Sequence, residues 1–228
     1  MPEASRVEDV ANRRAHAPAP VDALEARIVA ALDPLEAGDG SPWPDGSDHD
    51  LNPELIVALD GRQSAAVLIP LIRRPEGLTV LLTLRADHMR RHAGQIAFPG
   101  GLCEPGETPW QAALREAHEE VGLEPASVRL AGLSTPYRTL TGYHITPVVG
   151  FVSALPDLTL NPGEVAETFE VPFAFLMDPA NHERRHRDKP PGPPRWHYAI
   201  TWEERVIWGA TAAMLRALYE RLERRDAV

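Results

Sequence analysis

The sequence has one cysteine and no long apolar run. Cys103 is the single cysteine among 228 residues, so no disulfide can form within the chain and an oxidising compartment is not required. No apolar stretch reaches the roughly 20 residues of a membrane-spanning helix, and the polar, acidic N-terminus lacks the pattern of a secretory signal peptide. We therefore expect a cytoplasmic protein without a membrane partner.

Basic residues are fewer than acidic residues in this chain. The chain has 23 lysines and arginines against 33 aspartates and glutamates, which gives a formal net charge of −10 at pH 7. Such a net charge argues against nonspecific binding to nucleic acid or to anionic membrane surfaces. An anionic small molecule would have to be held by local groups, because the overall field opposes it.

The rest of the composition, 43% hydrophobic and 25% charged, is that of a soluble globular protein. We expect an N-terminal arm over residues 1–60 and a folded domain over 61–228. Within the arm, residues 21–32 have the apolar spacing of a short helix. Residues 38–53 are rich in Gly, Pro, Asp and Ser and predict a flexible tether. The helix could pack on the domain or on a second subunit, which leaves a homodimer open.

Strand and helix patterns become dense after residue 64. Apolar and β-branched runs predict strands at 65–72, 78–85, 128–133, 145–152, 165–171, 196–201 and 205–207. Helical spacing predicts one helix that starts after residue 108 and another over 210–224. Mixed strands with two or three helices predict an α/β sandwich.

The first of these helices has clear start and stop signals. Thr108 is a suitable N-cap, Pro109 suits the first helical position, and Gln111 completes a capping box. Gly122 is placed to end the helix. The apolar stripe of this helix consists of Trp110, Ala113, Leu114, Ala117 and Val121.

Three glutamates share another face of the same helix. Glu116, Glu119 and Glu120 have i, i+3, i+4 spacing, which brings their carboxylates together. Like charges in this arrangement destabilise a helix unless something offsets them, and Mg²⁺ is a cation that takes carboxylate oxygens together with substrate phosphates. Ala112 lies in the same arc and leaves room for a ligand. The alternative interpretation is a solvated acidic face.

A basic cluster lies between the strand at 78–85 and this helix. Arg85, Arg90, Arg91 and His92 would make an anion clamp beside the acidic face, and a solvated turn is the alternative. Gly94 follows, where a tight turn or a close ligand approach needs a residue without a side chain.

Residues 101–123 carry a spaced pattern that runs from Gly101 through Glu107 to Arg115-Glu116 and Glu119-Glu120, then Gly122 and Leu123. This pattern resembles the Nudix box, the signature of hydrolases that act on a nucleoside diphosphate linked to another moiety. The resemblance implies a Nudix-type α/β/α sandwich with a mixed sheet. It also implies a divalent cofactor, Mg²⁺ or Mn²⁺, and a small-molecule substrate.

The resemblance assigns roles to individual residues. It implies that Glu116 and Glu120 are the main metal ligands, with Glu119 and the backbone carbonyl of Gly100 as further ligands. Arg115 is expected to pair with Glu107 and to hold the loop against the helix. A glutamate would take the proton of the attacking water, and the candidates are Glu119, Glu164 and Glu167.

A second pattern, upstream of the box, points to a substrate. Leu81-Leu82-Thr83-Leu84-Arg85-Ala86, then Arg90, Gly94 and Phe98-Pro99-Gly100-Gly101, resembles the signature of Nudix hydrolases that cleave coenzyme A. The resemblance implies substrate contacts from Arg85, Arg90, His92, Gly94 and Phe98. The products would be adenosine 3′,5′-bisphosphate and 4′-phosphopantetheine or its acyl derivative.

Other substrates and a different class of function stay open. ADP-ribose or a dinucleotide is an alternative substrate, and a noncatalytic nucleotide sensor is an alternative of another class. The intact glutamates of the box argue against the sensor. The group that binds the 3′-phosphate of coenzyme A is also open: the basic run at 184–189 is one candidate, and a solvated loop is the other interpretation of that run.

Overall fold

The computed structural model describes residues 21–37, 45–54, 63–89, 92–188 and 192–226. Its helices are α1 (Val21–Ala31), α2 (Pro109–Val121), α3 (Phe173–Leu176) and α4 (Ala210–Asp226). Its strands are β1 (Gly46–Ser47), β2 (Gln63–Arg74), β3 (Gly77–Arg85), β4 (Ile96–Ala97), β5 (Gly100–Leu102), β6 (Arg129–Leu133), β7 (Tyr137–Arg138), β8 (Tyr143–Val152), β9 (Val165–Pro172), β10 (Glu183–Arg187), β11 (Arg195–Trp202) and β12 (Arg205–Trp208).

The described strands form two separate sheets. The larger sheet is mixed, and its strand order is β1-β7-β8-β2-β3-β4. Three further strands pair with members of this series: β5 with β2, β6 with β8, and β9 with β3. Its centre is the parallel pair β2–β8, and β2 also forms an antiparallel hairpin with β3. The smaller sheet is the antiparallel set β10-β11-β12. This is an α/β architecture with a mixed sheet, as predicted.

Helices cover both faces of the larger sheet, which explains why β2 is apolar almost throughout. On one face, Ala113 and Ala117 of α2 are fully buried in a cluster with Leu68 of β2. On the other face, α1 and α4 pack in a second cluster around Ile69 and Val149. Burial of each large aliphatic side chain contributes about 1.5–3 kcal/mol.

Helix α2 begins and ends where the sequence predicts. The backbone N–H of Thr108 donates to Gln111 Oε1 over 2.9 Å, within a complete capping box. Gly122 ends the helix with φ +72°, and a Cβ there would approach the Thr159 nitrogen to 2.9 Å. A glycine at this position satisfies both the left-handed backbone and the close contact.

The predicted arm helix is α1, and it ends at Ala31, one residue earlier than expected. It is part of the folded unit, because Ile28 is fully buried in the core beside α4. Glu25 of α1 forms ion pairs with Arg73 (2.8 Å) and Arg129 (2.5 Å). The division that we placed after residue 60 lies outside the described residues.

The prediction of a flexible tether over 38–53 is wrong for residues 45–53. Asp48 accepts a hydrogen bond from the Tyr137 hydroxyl (2.6 Å) and another from the Leu140 nitrogen (2.8 Å). Burial raises the pKa of Tyr137, which keeps this hydroxyl protonated. The Asn52 side chain bonds both the nitrogen and the oxygen of Trp196 in β11. The short polar side chains order this segment through hydrogen bonds instead of apolar burial. Residues 38–44 lie outside the described residues.

The basic run at 184–189 is also different from the solvated loop that we favoured. Residues 184–187 belong to strand β10, which pairs with β11 along its whole length. Lys189 lies outside the described residues. None of the helices in the described segments is both long enough and apolar enough to cross a membrane.

Candidate active site

Glu120 is the buried centre of the acidic face. Its side chain is 3% exposed, and its Oε2 accepts a hydrogen bond from the Gly100 nitrogen over 3.1 Å. Its Oε1 lies 3.6 Å from Arg85 Nη1. Burial raises the pKa of Glu120 to about 7, although the Gly100 N–H and the Arg85 charge act in the opposite direction. Two further carboxylates, Glu164 and Glu116, also raise it.

Glu116 lies one turn before Glu120 and against strand β5. A Cβ on Gly101 would come within 2.5 Å of the Glu116 carboxyl carbon, so a larger residue at this position would displace the Glu116 carboxylate. Burial also raises the pKa of Glu116 above its ordinary value, despite an opposing hydrogen bond from Arg115. Two desolvated carboxylates with raised pKa values on one face are the arrangement that a bound cation stabilises.

Arg115 joins the helix to the loop before it. Its Nε and Nη2 each lie 3.0 Å from a different oxygen of Glu107, and Nη2 also donates to the Leu102 carbonyl. The hydrogen bonds from Arg115 hold the pKa of Glu107 below its usual value. The same guanidinium reaches Glu116 (2.8 Å) and Glu119 (3.1 Å) through Nη1. The predicted pair of Glu107 and Arg115 is therefore present.

The three candidate bases occupy different surroundings. The Glu119 side chain is 56% exposed and contacts Arg115. Glu164 precedes β9, and its negative charge contributes to the raised pKa values of Glu116 and Glu120, which places it near them. Its carbonyl accepts from the Ala86 nitrogen, at the end of the strand that carries Arg85.

Glu167 is not brought into this cluster. It pairs across the sheet with Leu84, whose side chain packs in the core on the side of α1 and α4. Its carboxylate forms an ion pair with Arg205 of β12 over 2.5 Å. A β-bulge beside Leu84 and Arg85 shifts the alternation of side chains at this point. Sequence spacing alone cannot show that shift.

Gly100 lies between the acidic face and strand β2. It is the cross-strand partner of Val67, and a Cβ there would come within 2.4 Å of the Ala66 carbonyl oxygen. This close packing brings its N–H to Glu120. Its carbonyl remains a predicted metal ligand.

The donor chemistry of the acidic face fits a hard divalent cation. Glu116, Glu119 and Glu120 offer carboxylate oxygens, which Mg²⁺ and Mn²⁺ prefer. In the described segments, no three acidic, histidine or cysteine side chains already surround one point as a ligand set. Arg115 and the Gly100 N–H hold the carboxylates instead, and a cation would compete with these two donors.

Three of the residues predicted to contact the substrate line one cavity. It has a volume of about 580 Å³, and Arg85, His92 and Phe98 are among its lining residues. Gly94 adopts φ +67°, and its nitrogen donates to the Arg85 carbonyl, so it shapes the turn beneath the cavity. Arg90 lies outside the described residues.

The cavity also has a wall that the sequence motifs do not indicate. The smaller sheet contributes Arg187, Arg195, His197 and Trp208, and the start of α4 contributes Thr211 and Met214. No local motif marks these residues. Only the pairing of β10 with β11 could have placed them together.

Comparison with known proteins decides the family. A profile described as the NUDIX domain matches residues 62–194, more than half of the chain. This chain belongs to the Nudix hydrolase family. The Yersinia pestis (strain Pestoides F) protein named "Uncharacterized Nudix hydrolase NudL" is 42% identical over 161 residues, which cover 69% of this chain and 79% of that protein. A Yersinia pseudotuberculosis NudL (serotype O:1b, strain IP 31758) gives the same values.

Two solved structures are similar to this chain. RenU from M. smegmatis is 24% identical, with a TM-score of 0.48, and the match covers 73% of this chain and 86% of RenU. The MutT protein from Methanosarcina mazei Go1 is 21% identical, with a TM-score of 0.46, over 74% of this chain and 99% of that protein. As a Nudix hydrolase, the chain acts on a phosphate-containing anhydride in a small molecule, and such enzymes generally use divalent metal ions.

Proposed function

We propose that this Nudix hydrolase cleaves the diphosphate of coenzyme A or acyl-coenzyme A. The products are adenosine 3′,5′-bisphosphate and 4′-phosphopantetheine or its acyl derivative. The observation that carries the proposal is the position of Arg85. Its guanidinium lies 3.6 Å from Glu120 in the acidic cluster, and it also lines the cavity of about 580 Å³. Arg85 also belongs to the upstream pattern that resembles the coenzyme A signature.

The acidic cluster would hold the reacting diphosphate with the metal. Glu116, Glu119 and Glu120 bind the cation, Mg²⁺ or Mn²⁺, with help from the Gly100 carbonyl. A cation held there would offset the charge of the diphosphate and would polarise its phosphorus–oxygen bonds. Arg115 holds Glu107, Glu116 and Glu119 in position through its hydrogen bonds.

A carboxylate must take the proton of the attacking water. Glu119 and Glu164 are the two candidates that we retain, because Glu167 is paired with Arg205. Glu119 lies on the exposed rim of the cluster, and Glu164 lies near its buried side. In this proposal, one of the two takes the proton as the general base.

The cavity would hold the remainder of the substrate. Its volume lies within the range of about 300–1,000 Å³ that is usual for small-molecule sites. Ile96, Phe98 and Met214 give it an apolar lining that suits a pantetheine arm or a short acyl chain, and Arg85 offers charge-assisted hydrogen bonds to a phosphate.

The test is turnover of several diphosphates by the same preparation. Coenzyme A, an acyl-coenzyme A, ADP-ribose and NADH are incubated with Mg²⁺ or Mn²⁺, and the products are separated by chromatography. We expect adenosine 3′,5′-bisphosphate from both coenzyme A species, and no turnover in excess chelator. Faster cleavage of ADP-ribose or NADH would overturn the proposal that coenzyme A is the substrate. Tight binding of a nucleotide without any turnover would favour a noncatalytic nucleotide sensor.

A further inference from the structure

Two arginines face each other at the loop end of the β10–β11 hairpin. Arg187 is the last residue of β10, Arg195 is the first of β11, and the two are direct cross-strand partners. Cross-strand partners leave the same face of a sheet, and like charges in that position are destabilising. Both residues line the cavity that Arg85 also lines.

Neither arginine has a carboxylate partner among the described residues. The acidic side chains that line the cavity make other contacts: Asp48 accepts hydrogen bonds from Tyr137 and Leu140, and Asp188 lies 3.3 Å from His186. The Arg187 guanidinium lies over the Trp208 ring, 5.8 Å from its centroid. The repulsion between two cations at one end of the hairpin is therefore not offset by the described protein groups.

The surroundings of His197 show the same local excess of positive charge. His197 is on the cavity wall, next to the pair on the same face, and its ring lies 5.4 Å from the Trp208 ring. Burial lowers the pKa of His197, and the charges of Arg185 and Arg187 lower it further. This positive spot belongs to a chain whose formal net charge is −10.

We infer that Arg187 and Arg195 form an anion subsite that receives the ribose 3′-phosphate of coenzyme A. The inference rests on the proposed function. Coenzyme A carries two anionic groups, the diphosphate that is cleaved and the 3′-phosphate that is not. The cavity likewise has two cationic places, Arg85 beside the acidic cluster and the arginine pair on the wall that the smaller sheet contributes. A dianionic phosphate between the two guanidinium groups removes their repulsion and can be bound bidentately.

The experiment compares coenzyme A with dephospho-coenzyme A, which lacks only the 3′-phosphate. The variants are Arg187→Ala, Arg195→Ala and the double variant. Arg184→Ala is the matched control, because it removes the same charge from the same strand, but Arg184 is on the other face and lies over Trp196. We expect the parent to prefer coenzyme A. Each cavity variant should lose about 10-fold in kcat/KM for coenzyme A. We expect little change for dephospho-coenzyme A, and none with either substrate for Arg184→Ala.

Two further results separate the possible failures. A parent enzyme that cleaves neither compound overturns the proposed function and this inference with it. A parent that cleaves coenzyme A, with cavity variants that keep the preference for the 3′-phosphate, overturns the inference alone. The equilibrium dissociation constants of adenosine 3′,5′-bisphosphate and of AMP provide a second measurement that does not depend on turnover. We expect the arginine variants to bind the two nucleotides alike, and circular dichroism checks that they remain folded.

Discussion

Asp33 and Arg221 form a buried ion pair although 188 positions separate them in the chain. Arg221 Nη2 lies 2.8 Å from Asp33 Oδ1, and the two side chains are 8% exposed or less. Arg221 also donates to the Ala31 carbonyl at the end of α1, over 2.7 Å. The pair thus fastens the end of the first helix to the last helix.

We expect Arg221→Ala to lower the free energy of unfolding by about 3–5 kcal/mol, because removal of one partner of a buried pair leaves a desolvated charge. Arg27→Ala is the control. It removes an exposed 3.5 Å contact with Glu223 between the same two helices and should cost about 1 kcal/mol or less. Urea denaturation measures both. Equal losses of unfolding free energy in the two variants would mean that the buried pair stabilises the fold no more than the exposed pair does.

Glu116→Gln and Glu120→Gln keep the size of the side chains and remove charge from the acidic face. We expect each to lower kcat about 100-fold or more, consistent with several kcal/mol of lost metal-borne stabilisation. The melting temperature without metal should not fall, because burial already disfavours the charged form of both groups. Glu124→Gln, on the exposed surface after α2, serves as the control. Normal turnover of both site variants at saturating metal would place the chemistry elsewhere.

Arg85→Ala should lower kcat/KM for coenzyme A by about 10- to 100-fold, the equivalent of one or two charge-assisted phosphate contacts. Metal affinity should not decrease, because the substitution removes a positive charge 3.6 Å from Glu120. Steady-state kinetics and a metal titration measure the two effects separately. Arg90→Ala is expected to act in the same direction on the basis of the sequence pattern. Kinetic constants equal to those of the parent in both variants would contradict the proposal that these arginines bind the phosphates of the substrate.

Stability at acidic pH should depend on Glu170. Its carboxylate binds Arg74 at two points (3.0 and 2.5 Å) and accepts from Thr79, and these bonds hold its pKa below the ordinary value of 4.5. A depressed pKa contributes stability that is present above about pH 4.5 and is lost as pH falls through the folded-state value.

Thermal denaturation between pH 7 and pH 3 tests this dependence. The melting temperature of Glu170→Gln should fall short of the parent value at neutral pH, and the difference should shrink below about pH 4.5. Glu204→Gln, in the exposed turn between β11 and β12, should show no such convergence. A constant difference over the whole range would rule out the titration of Glu170 as its source.

The sequence alone predicts that a chain beginning at Leu55 folds and stays active. The structure reverses that expectation, because this truncation removes Ile28 from the core and the Asp33–Arg221 pair. It also removes the Asn52 hydrogen bonds to β11. We expect it to aggregate or to melt at a much lower temperature. A chain beginning at Val21 should keep its melting temperature. Normal metal-dependent hydrolysis by the shorter chain would contradict this account.

Local signals predicted the acidic face of helix α2. The capping box, Gly122 and the glutamate spacing are properties of one helix, so the face formed by Glu116 and Glu120 follows from residues close in sequence. Gly101 is explained by the same helix, since it makes room for the Glu116 carboxylate. Helical geometry is short-range, which is why a pattern of adjacent residues determines it.

Features that depend on pairing between distant segments could not be predicted in the same way. The β-bulge next to Leu84 determines which side of the sheet Glu167 faces. The composition of residues 45–53 led to a wrong prediction, because hydrogen bonds to residues distant in sequence order this segment. The cavity wall from Arg187 and Arg195 depends on the register of β10 with β11. None of these has a signature within a few residues.

The separation of the two sheets has an evolutionary consequence. In the described structure, β10, β11 and β12 pair only with one another, while the acidic helix packs on the larger sheet. Insertions, deletions or substitutions in the hairpin between Arg187 and Arg195 would therefore reshape the cavity wall without disturbing the helix that carries the glutamates. Related enzymes can therefore acquire different substrate preferences through changes in this one short segment, while selection keeps the residues of the acidic helix unchanged.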